Sequence, residues 1–243
     1  MTQNIYDDPA FFDGYSRLPR SVGGLDAAPE WPELRAMLPE VRGRRIVDLG
    51  CGYGWFCRWV RAAGAADVLG VDVSAKMLER ARSELADPAI TYALADLETI
   101  ELPVNRFDLA YSSLTLHYIA DVARLMREIH EALVPGGAFV FSTEHPIFMA
   151  SRNAGWQLDA DGRRTWPVDS YHDEGTRTTE WFTPGVVKYH RRLATTLNHL
   201  IAAGFTIARV EEFVPTPEQI AADPSLEKER ERPMFLLVSA RRG

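Results

Sequence analysis

Residues 47–55 read VDLGCGYGW: an acid, Asp48, then three glycines on alternate positions, Gly50, Gly52 and Gly54. Glycine gives up more backbone freedom on folding than any other residue. A cluster of them means that the chain turns through positive φ, or that something approaches where a side chain would stand. The flanks say where the turn lies. RRIVDLG (44–50) is short and β-branched, as a strand requires, and WFCRWVRAAGA (55–65) carries apolar residues at helical spacing with a glycine near its end. The glycines therefore join a strand to a helix N-terminus, where free N–H groups and the helix dipole favour an anionic group.

The same alternation continues outward. ADVLGVDVS (66–74) reads as a second strand, Ser74 as an N-cap, and AKMLERARSELA (75–86) as an amphipathic helix closed by Asp87 and Pro88. ITYALAD and RFDLAYSS are the third and fourth strands. VARLMREIHEALVPGG is a helix ended by Pro135, Gly136 and Gly137, and AFVFSTEH is the fifth strand. Strand and helix in turn imply βαβ units around a mostly parallel sheet covered on both faces. Residues 146–190 break the pattern, being rich in Trp, Tyr, Gly and charge without a sustained period. A stretch of that length is expected to be an insertion or lid. RRLATTLNHLIAAGF then reads as a helix, TIARVEEFV and MFLLVSARR as strands pairing antiparallel at one edge, and the charged segment between them as helix or loop.

The expected fold is a doubly wound, Rossmann-like α/β domain. It has a seven-stranded, mostly parallel sheet with a reversed last strand, and an irregular aromatic-rich insertion. One domain spans 1–243: an N-terminal helical lid (1–43), a ligand-binding core (44–145), the insertion as substrate lid (146–190), and a C-terminal helix with strands (191–243).

Composition narrows the function. The chain is 46% hydrophobic and 25% charged, with net charge -7, so it has the material for a full core and no bias toward nucleic acid or anionic membrane. No apolar run approaches the roughly 20 residues of a membrane span. The N-terminus lacks the basic start and apolar segment of a secretory signal, which points to the cytoplasm. Cys51 and Cys57 read as reduced, buried thiols, and the six scattered histidines make no zinc spacing, so no metal is expected. No coiled-coil repeat marks an oligomer contact.

Ligands of open α/β sheets bind beyond the carboxyl ends of the strands. Asp72, closing the second strand, is placed to accept hydrogen bonds from a ribose diol. A dinucleotide site wants G-x-G-x-x-G, whereas here the third glycine is Gly54 and Trp55 follows. Asp48 is a second departure, since a carboxylate repels a pyrophosphate and suits an ammonium group. VDLGCGYG closely resembles motif I of the class I S-adenosylmethionine-dependent methyltransferases, of the small-molecule type that includes quinone-biosynthesis enzymes. VLGVDVSAKMLERAR, YALADLETIELPVNRFDLAYSSLTLHYI and EALVPGGAFVFS continue that likeness in register.

The resemblance implies S-adenosyl-L-methionine as cofactor and in-line transfer of its methyl group to a small molecule. It implies Gly50, Gly52 and Gly54 against the methionine portion, Asp48 near its amino group, and Asp72 on the ribose. Val73 and Met77 would pack on the adenine, Asp96 would accept from its amine beside Leu97, and Ser112 or Ser113 would line the methionine end. The acceptor is expected above the fourth and fifth strands, near His117, Tyr118, Glu144 and His145, with aromatics of the insertion and the N-terminus around it. A general base is needed only if the nucleophile arrives protonated, and His145 is the first choice, ahead of His117 and His190. The rival readings are a non-catalytic cofactor-binding protein and, further off, a nicotinamide-dependent oxidoreductase.

Overall fold

The structure, a computed structural model, describes residues 3–243. Its strands are β1 (Arg45–Leu49), β2 (Asp67–Asp72), β3 (Ile90–Leu94), β4 (Phe107–Ser113), β5 (Leu133–Glu144), β6 (Gln157–Leu158), β7 (Arg164–Thr165), β8 (Gly175–Trp181), β9 (Thr183–His190), β10 (Phe205–Glu212) and β11 (Phe235–Arg242). Its helices are α1 (Pro9–Ser16), α2 (Pro19–Gly23), α3 (Trp31–Met37), α4 (Trp55–Ala62), α5 (Ala75–Glu84), α6 (Val122–Ala132), α7 (Pro146–Met149), α8 (Leu193–Ala202) and α9 (Pro217–Ala222). Seven strands form one sheet in the order β10-β11-β5-β4-β1-β2-β3. β1 to β5 run parallel, and β11 lies antiparallel to both β5 and the edge strand β10, so the reversed last strand is present as expected, one place in from the edge.

Alternate residues of the central strands feed two cores. Ile46, Leu109, Tyr111, Val140 and Leu237 pack on one face with Trp31, Leu34, Phe56 and Val60 of α3 and α4. Val47, Ala110, Phe139, Phe141 and Leu236 pack on the other with Leu125, Met126 and Ile129 of α6 and Leu200 of α8. Residues apolar on both sides of the sheet are what a parallel sheet between helix layers requires. Ser74 caps α5 by accepting from the Met77 N–H (3.1 Å), as its position in the sequence implied.

Two boundaries differ from expectation. The helix read through Pro135-Gly136-Gly137 ends at Ala132, and those residues belong to β5. Val134 precedes a proline, which disfavours helical backbone there. Leu133 is extended and pairs with Phe107, and the register then shifts to Leu109 opposite Ala138. The insertion is also more regular than its composition suggested. β8 and β9 pair antiparallel around Phe182, whose φ is 60°. Along β9 the buried positions are Val186, Lys188 and His190, a period of two that its charged inward residues disguise.

The N-terminal segment is bound to that hairpin. The Gln3 side-chain amide donates to the Gly185 carbonyl and accepts from the Val187 N–H, both at 2.8 Å, as an added strand would. Phe11 of α1 is fully buried, edge-on to Tyr6, Trp181 and Phe182. Asp8 caps α1, and Asp7 accepts from the Ser74 hydroxyl (2.6 Å) and the Lys76 N–H (3.2 Å) at the start of α5. The segment thereby bridges the hairpin and the carboxyl end of β2. Among the described residues, no helix is long and apolar enough to cross a membrane.

Candidate functional site

A cavity of about 990 Å³ opens at the carboxyl ends of the strands. That is the upper end of the range of roughly 300–1,000 Å³ for small-molecule sites. Three acids line it from successive strands. Asp48, in β1, is buried, and its Oδ2 accepts from the Cys57 thiol of α4 at 3.3 Å. Burial pushes its carboxyl up to about 7, the nearby Asp72 adding to the effect. Asp72 closes β2; its Oδ2 accepts from the Gly52 N–H (2.8 Å) and its Oδ1 from the Ser74 N–H (2.9 Å). Burial raises its pKa, against the lowering effect of those donors. Asp96 follows β3 and accepts from the Glu98 N–H at 2.9 Å, the side-chain turn typical of aspartate after a strand.

The glycines of the β1–α4 turn divide their labour. All three have positive φ, 79° at Gly50, 51° at Gly52 and 70° at Gly54. A methyl group on Gly50 would lie 2.1 Å from Thr115 Oγ1, and one on Gly54 would lie 2.2 Å from Tyr92 Oη. At Gly52 it would meet nothing within 4 Å. Gly50 and Gly54 thus admit neighbouring protein, and Gly52 alone presents bare backbone to open space. Gly50 and Gly52 line the cavity and Gly54 is not among its walls.

Val73, Met77 and Leu97 supply apolar walls beside Asp72 and Asp96. Of the two serines, Ser113 lines the cavity and shares a hydrogen bond with Ser142 (3.2 Å). Ser112 is fully buried, donates to the Leu49 carbonyl (2.8 Å) and lies outside the lining, since successive residues of a strand face opposite ways.

The three histidines separate. His117 lines the cavity, 3% exposed, and burial pushes its pKa down to about 4, which keeps the imidazole neutral at physiological pH. His145 and His190 are not among the walls. His145 caps α7, its Nδ1 accepting from the Ile147 N–H (3.1 Å), while Nε2 lies 2.8 Å from Glu212. His190 places Nε2 2.9 Å from the Tyr171 carbonyl. The first-choice base is therefore a helix cap with both nitrogens engaged, and His117 takes its place beside the cavity.

Next to His117 stands a group of higher chemical interest. Glu144, the last residue of β5, pairs through Oε1 with Lys188 Nζ at 2.5 Å and lies 3.9 Å from His117 Nε2. Its other oxygen, Oε2, is buried and has no hydrogen-bond partner among the described residues. The Lys188 ammonium is held over the Trp181 and Tyr118 rings at 5.0 and 5.8 Å, and the Tyr118 hydroxyl lies 3.3 Å from that of Tyr6. Sequence reasoning placed Glu144 in this region and missed Lys188 and Arg177. The only signal for these two was the alternation of the β8–β9 hairpin, which puts Arg177 and Lys188 opposite one another in the ladder. No three His, Cys, Asp or Glu side chains come together as a metal site among the described residues.

Residues 47–141 match the family described as "Methyltransferase domain". An S-adenosylmethionine-dependent methyltransferase from Mesorhizobium loti is 64% identical and superposes with a TM-score of 0.88, over 90% of this chain and 100% of that one. A putative methyltransferase of the same dependence from Listeria monocytogenes is 39% identical, with a TM-score of 0.84 over 90% and 99% of the two chains. Among curated relatives, the malonyl-[acyl-carrier protein] O-methyltransferase of Pseudescherichia vulneris is 34% identical over 146 residues, 60% of this chain. The chain spans about half that relative's length, 54%.

Proposed function

The chain belongs to the S-adenosylmethionine-dependent methyltransferases, and from that premise we propose that its cavity holds the cofactor against Asp48, Gly52, Asp72 and Asp96 and a small acceptor beside Glu144. The observation that carries this reading is the bare backbone of Gly52 facing open space between Asp48 and Asp72, which both line the same cavity. When bound, S-adenosylmethionine supplies an activated methyl group on a positively charged sulfur. The chain's own residues account for the rest. Asp72 keeps lone pairs for a diol while it braces the glycine turn, and Asp48 offers a carboxylate to an ammonium group. Val73, Met77 and Leu97 form an apolar slot for a flat ring, with Asp96 at its edge. Ser113 lines the wall between that region and Glu144.

Methyl transfer of this kind needs alignment and exclusion of water more than acid–base power. The N-terminal segment and the β8–β9 hairpin serve as lids, and their pairing through Gln3 closes them together. Where the acceptor brings a proton on its nucleophilic atom, Glu144 Oε2 receives that hydrogen bond and the neutral His117 stands beside it. The unbridged Cys51 and Cys57 suit a reducing, cytoplasmic setting.

Calorimetric titration with S-adenosylhomocysteine, followed by a screen of small acceptors with isotope-labelled cofactor, tests the reading. Micromolar binding and label transfer support it; a protein that does not bind this demethylated cofactor product refutes it.

The raised carboxyl of Asp48 makes binding depend on pH. In the ligand-free protein this group holds its proton up to about pH 7, whereas in an unfolded chain it ionises near 4. The folded state therefore binds the extra proton between those values, and its contribution to stability falls as pH rises through that window. An ammonium group beside Asp48 reverses the preference and expels the proton. Affinity for S-adenosylhomocysteine is expected to weaken by up to about tenfold per pH unit below 7, and to level off above it. Titrations at pH 6 in buffers of differing ionisation enthalpy should register the released proton, and Asp48→Asn should not release it. A flat affinity between pH 5.5 and 8 would contradict this assignment.

A further inference from the structure

Arg177, on β8, is 4% exposed and lines the cavity, yet among the described residues no carboxylate lies within ion-pair distance of it. Its guanidinium donates only to backbone carbonyls: Nε to Ala150 (2.9 Å), Nη1 to Thr176 (3.2 Å), and Nη2 to Asp173 (2.7 Å) and Ser170 (3.2 Å). A guanidinium has five N–H groups, so one on Nη1 remains. The carboxylates of Asp169 and Asp173 act on it only from longer range. A buried charge without a directly paired counter-charge is costly, and native structures ordinarily pair it.

A second cation adds to the imbalance. Arg152, an exposed residue in the loop after α7, lines the same cavity and forms no hydrogen bond or ion pair among the described residues. Its charge acts on Arg177 in the unfavourable direction, so two guanidinium groups face one region of the wall. The third cation that the insertion brings to the cavity wall, Lys188, is neutralised by Glu144. Against these stands Glu180, an exposed lining residue. The acids Asp48, Asp72 and Asp96 belong to the strand ends β1 to β3 and suit a cationic cofactor. Among the residues lining the cavity, the insertion contributes Arg152, Arg177 and Lys188 against the single acid Glu180, an excess of positive charge.

Resting on the reading of the cavity as cofactor and acceptor site, we propose that Arg152 and Arg177 bind a carboxylate carried by the methyl acceptor. The acceptor is then a small organic acid whose nucleophilic group reaches Glu144 while its carboxylate takes the free N–H of Arg177 and the side chain of Arg152. A cationic amine is excluded from this wall by like charge. Trp166 and Phe148, stacked at 5.7 Å with the Arg232 guanidinium over both rings, line the same cavity and give it an aromatic surface, which favours an aryl or alkyl body.

The test needs no knowledge of the acceptor. A panel of aryl and alkyl monocarboxylates, phenylacetate among them, is titrated against the protein with and without saturating S-adenosylhomocysteine, each acid paired with its neutral amide. Acids are expected to bind at least about tenfold tighter than their amides, as a charge-assisted contact to a buried guanidinium implies. Arg152→Gln should reduce that ratio by about fivefold and leave S-adenosylhomocysteine affinity unchanged. Arg177→Lys, which keeps the charge but loses the planar fork, should reduce it further if the variant folds; Arg152→Gln decides the matter if it does not. A panel in which no acid exceeds its amide, or a ratio unaltered by Arg152→Gln, overturns the proposal. Failure of S-adenosylhomocysteine to bind overturns the cofactor reading instead, and the acid–amide ratio of the ligand-free protein still decides the anion site.

Discussion

Asp72→Ala is expected to lose S-adenosylhomocysteine binding by about 100-fold or more, beyond the range of a titration that saturates the parent protein. Two losses combine. The carboxylate proposed to accept from the cofactor's diol disappears, and such charge-assisted hydrogen bonds are each worth about 1.5–3 kcal/mol. The Gly52 and Ser74 N–H groups, now bonded to Asp72 at 2.8 and 2.9 Å, also lose their acceptor. Orphaned buried donors cost about 1–3 kcal/mol each, so the turn that presents Gly52 loosens and the melting temperature falls as well. Asp72→Asn separates the two effects. One amide oxygen still braces a backbone donor, so stability should recover more than affinity does. Calorimetry and thermal melts on the same samples read both quantities. An alanine variant that binds within threefold of the parent would remove Asp72 from the site.

Much of this site was legible because its residues sit at fixed places in a repeating grammar. Strand ends follow apolar runs, and Asp48, Asp72 and Asp96 each stand at such an end, so their convergence follows from βαβ topology without tertiary detail. Residues placed by contacts distant in sequence were harder. His145 and His117 are both next to strand ends, and only the packing of Glu212 from β10 and the start of α7 shows that His145 is engaged. Ser112 and Ser113 are neighbours on one strand, and a single step of register decides which faces the cavity. The β8–β9 hairpin hid in plain composition. Three of its four inward positions hold Arg177, Lys188 and His190, with only Val186 aliphatic, so the alternation that marks a half-buried strand loses its contrast. Polar residues at buried positions are the ones with chemistry to do, and they are also the ones that blur the pattern. Pro135-Gly136-Gly137 is hard to place for a related reason: these residues carry the chemistry of a helix stop, yet Leu133 has already left the helix to pair with Phe107.

Glycine substitutions in the β1–α4 turn should split stability from binding. Gly50→Ala places its methyl 2.1 Å from Thr115 Oγ1, 2.5 Å from Cγ2 and 2.7 Å from Cβ, and the Cβ cannot rotate away. Left-handed backbone at φ 79° costs a further 1–2 kcal/mol or so for a residue with a side chain. Overpacking of this kind costs about 1–3 kcal/mol, so the sum of about 2–5 kcal/mol should lower the melting temperature by about 4–20 °C. Gly52→Ala carries only the backbone term, because its methyl enters open space, and should melt about 2–8 °C below the parent. Its cost appears in binding, where the methyl occupies the path of the cofactor and S-adenosylhomocysteine affinity should fall by about 100-fold or more. Adding Thr115→Gly to Gly50→Ala removes the clash and should recover part of the lost stability, whereas it cannot rescue Gly52→Ala. If both single variants melted alike and bound alike, the alternate glycines would serve the turn only, and the open face of Gly52 would carry no meaning for the ligand. A stable Gly52 variant that no longer binds, beside an unstable Gly50 variant whose folded fraction still does, is the pattern that ties this backbone to the cofactor.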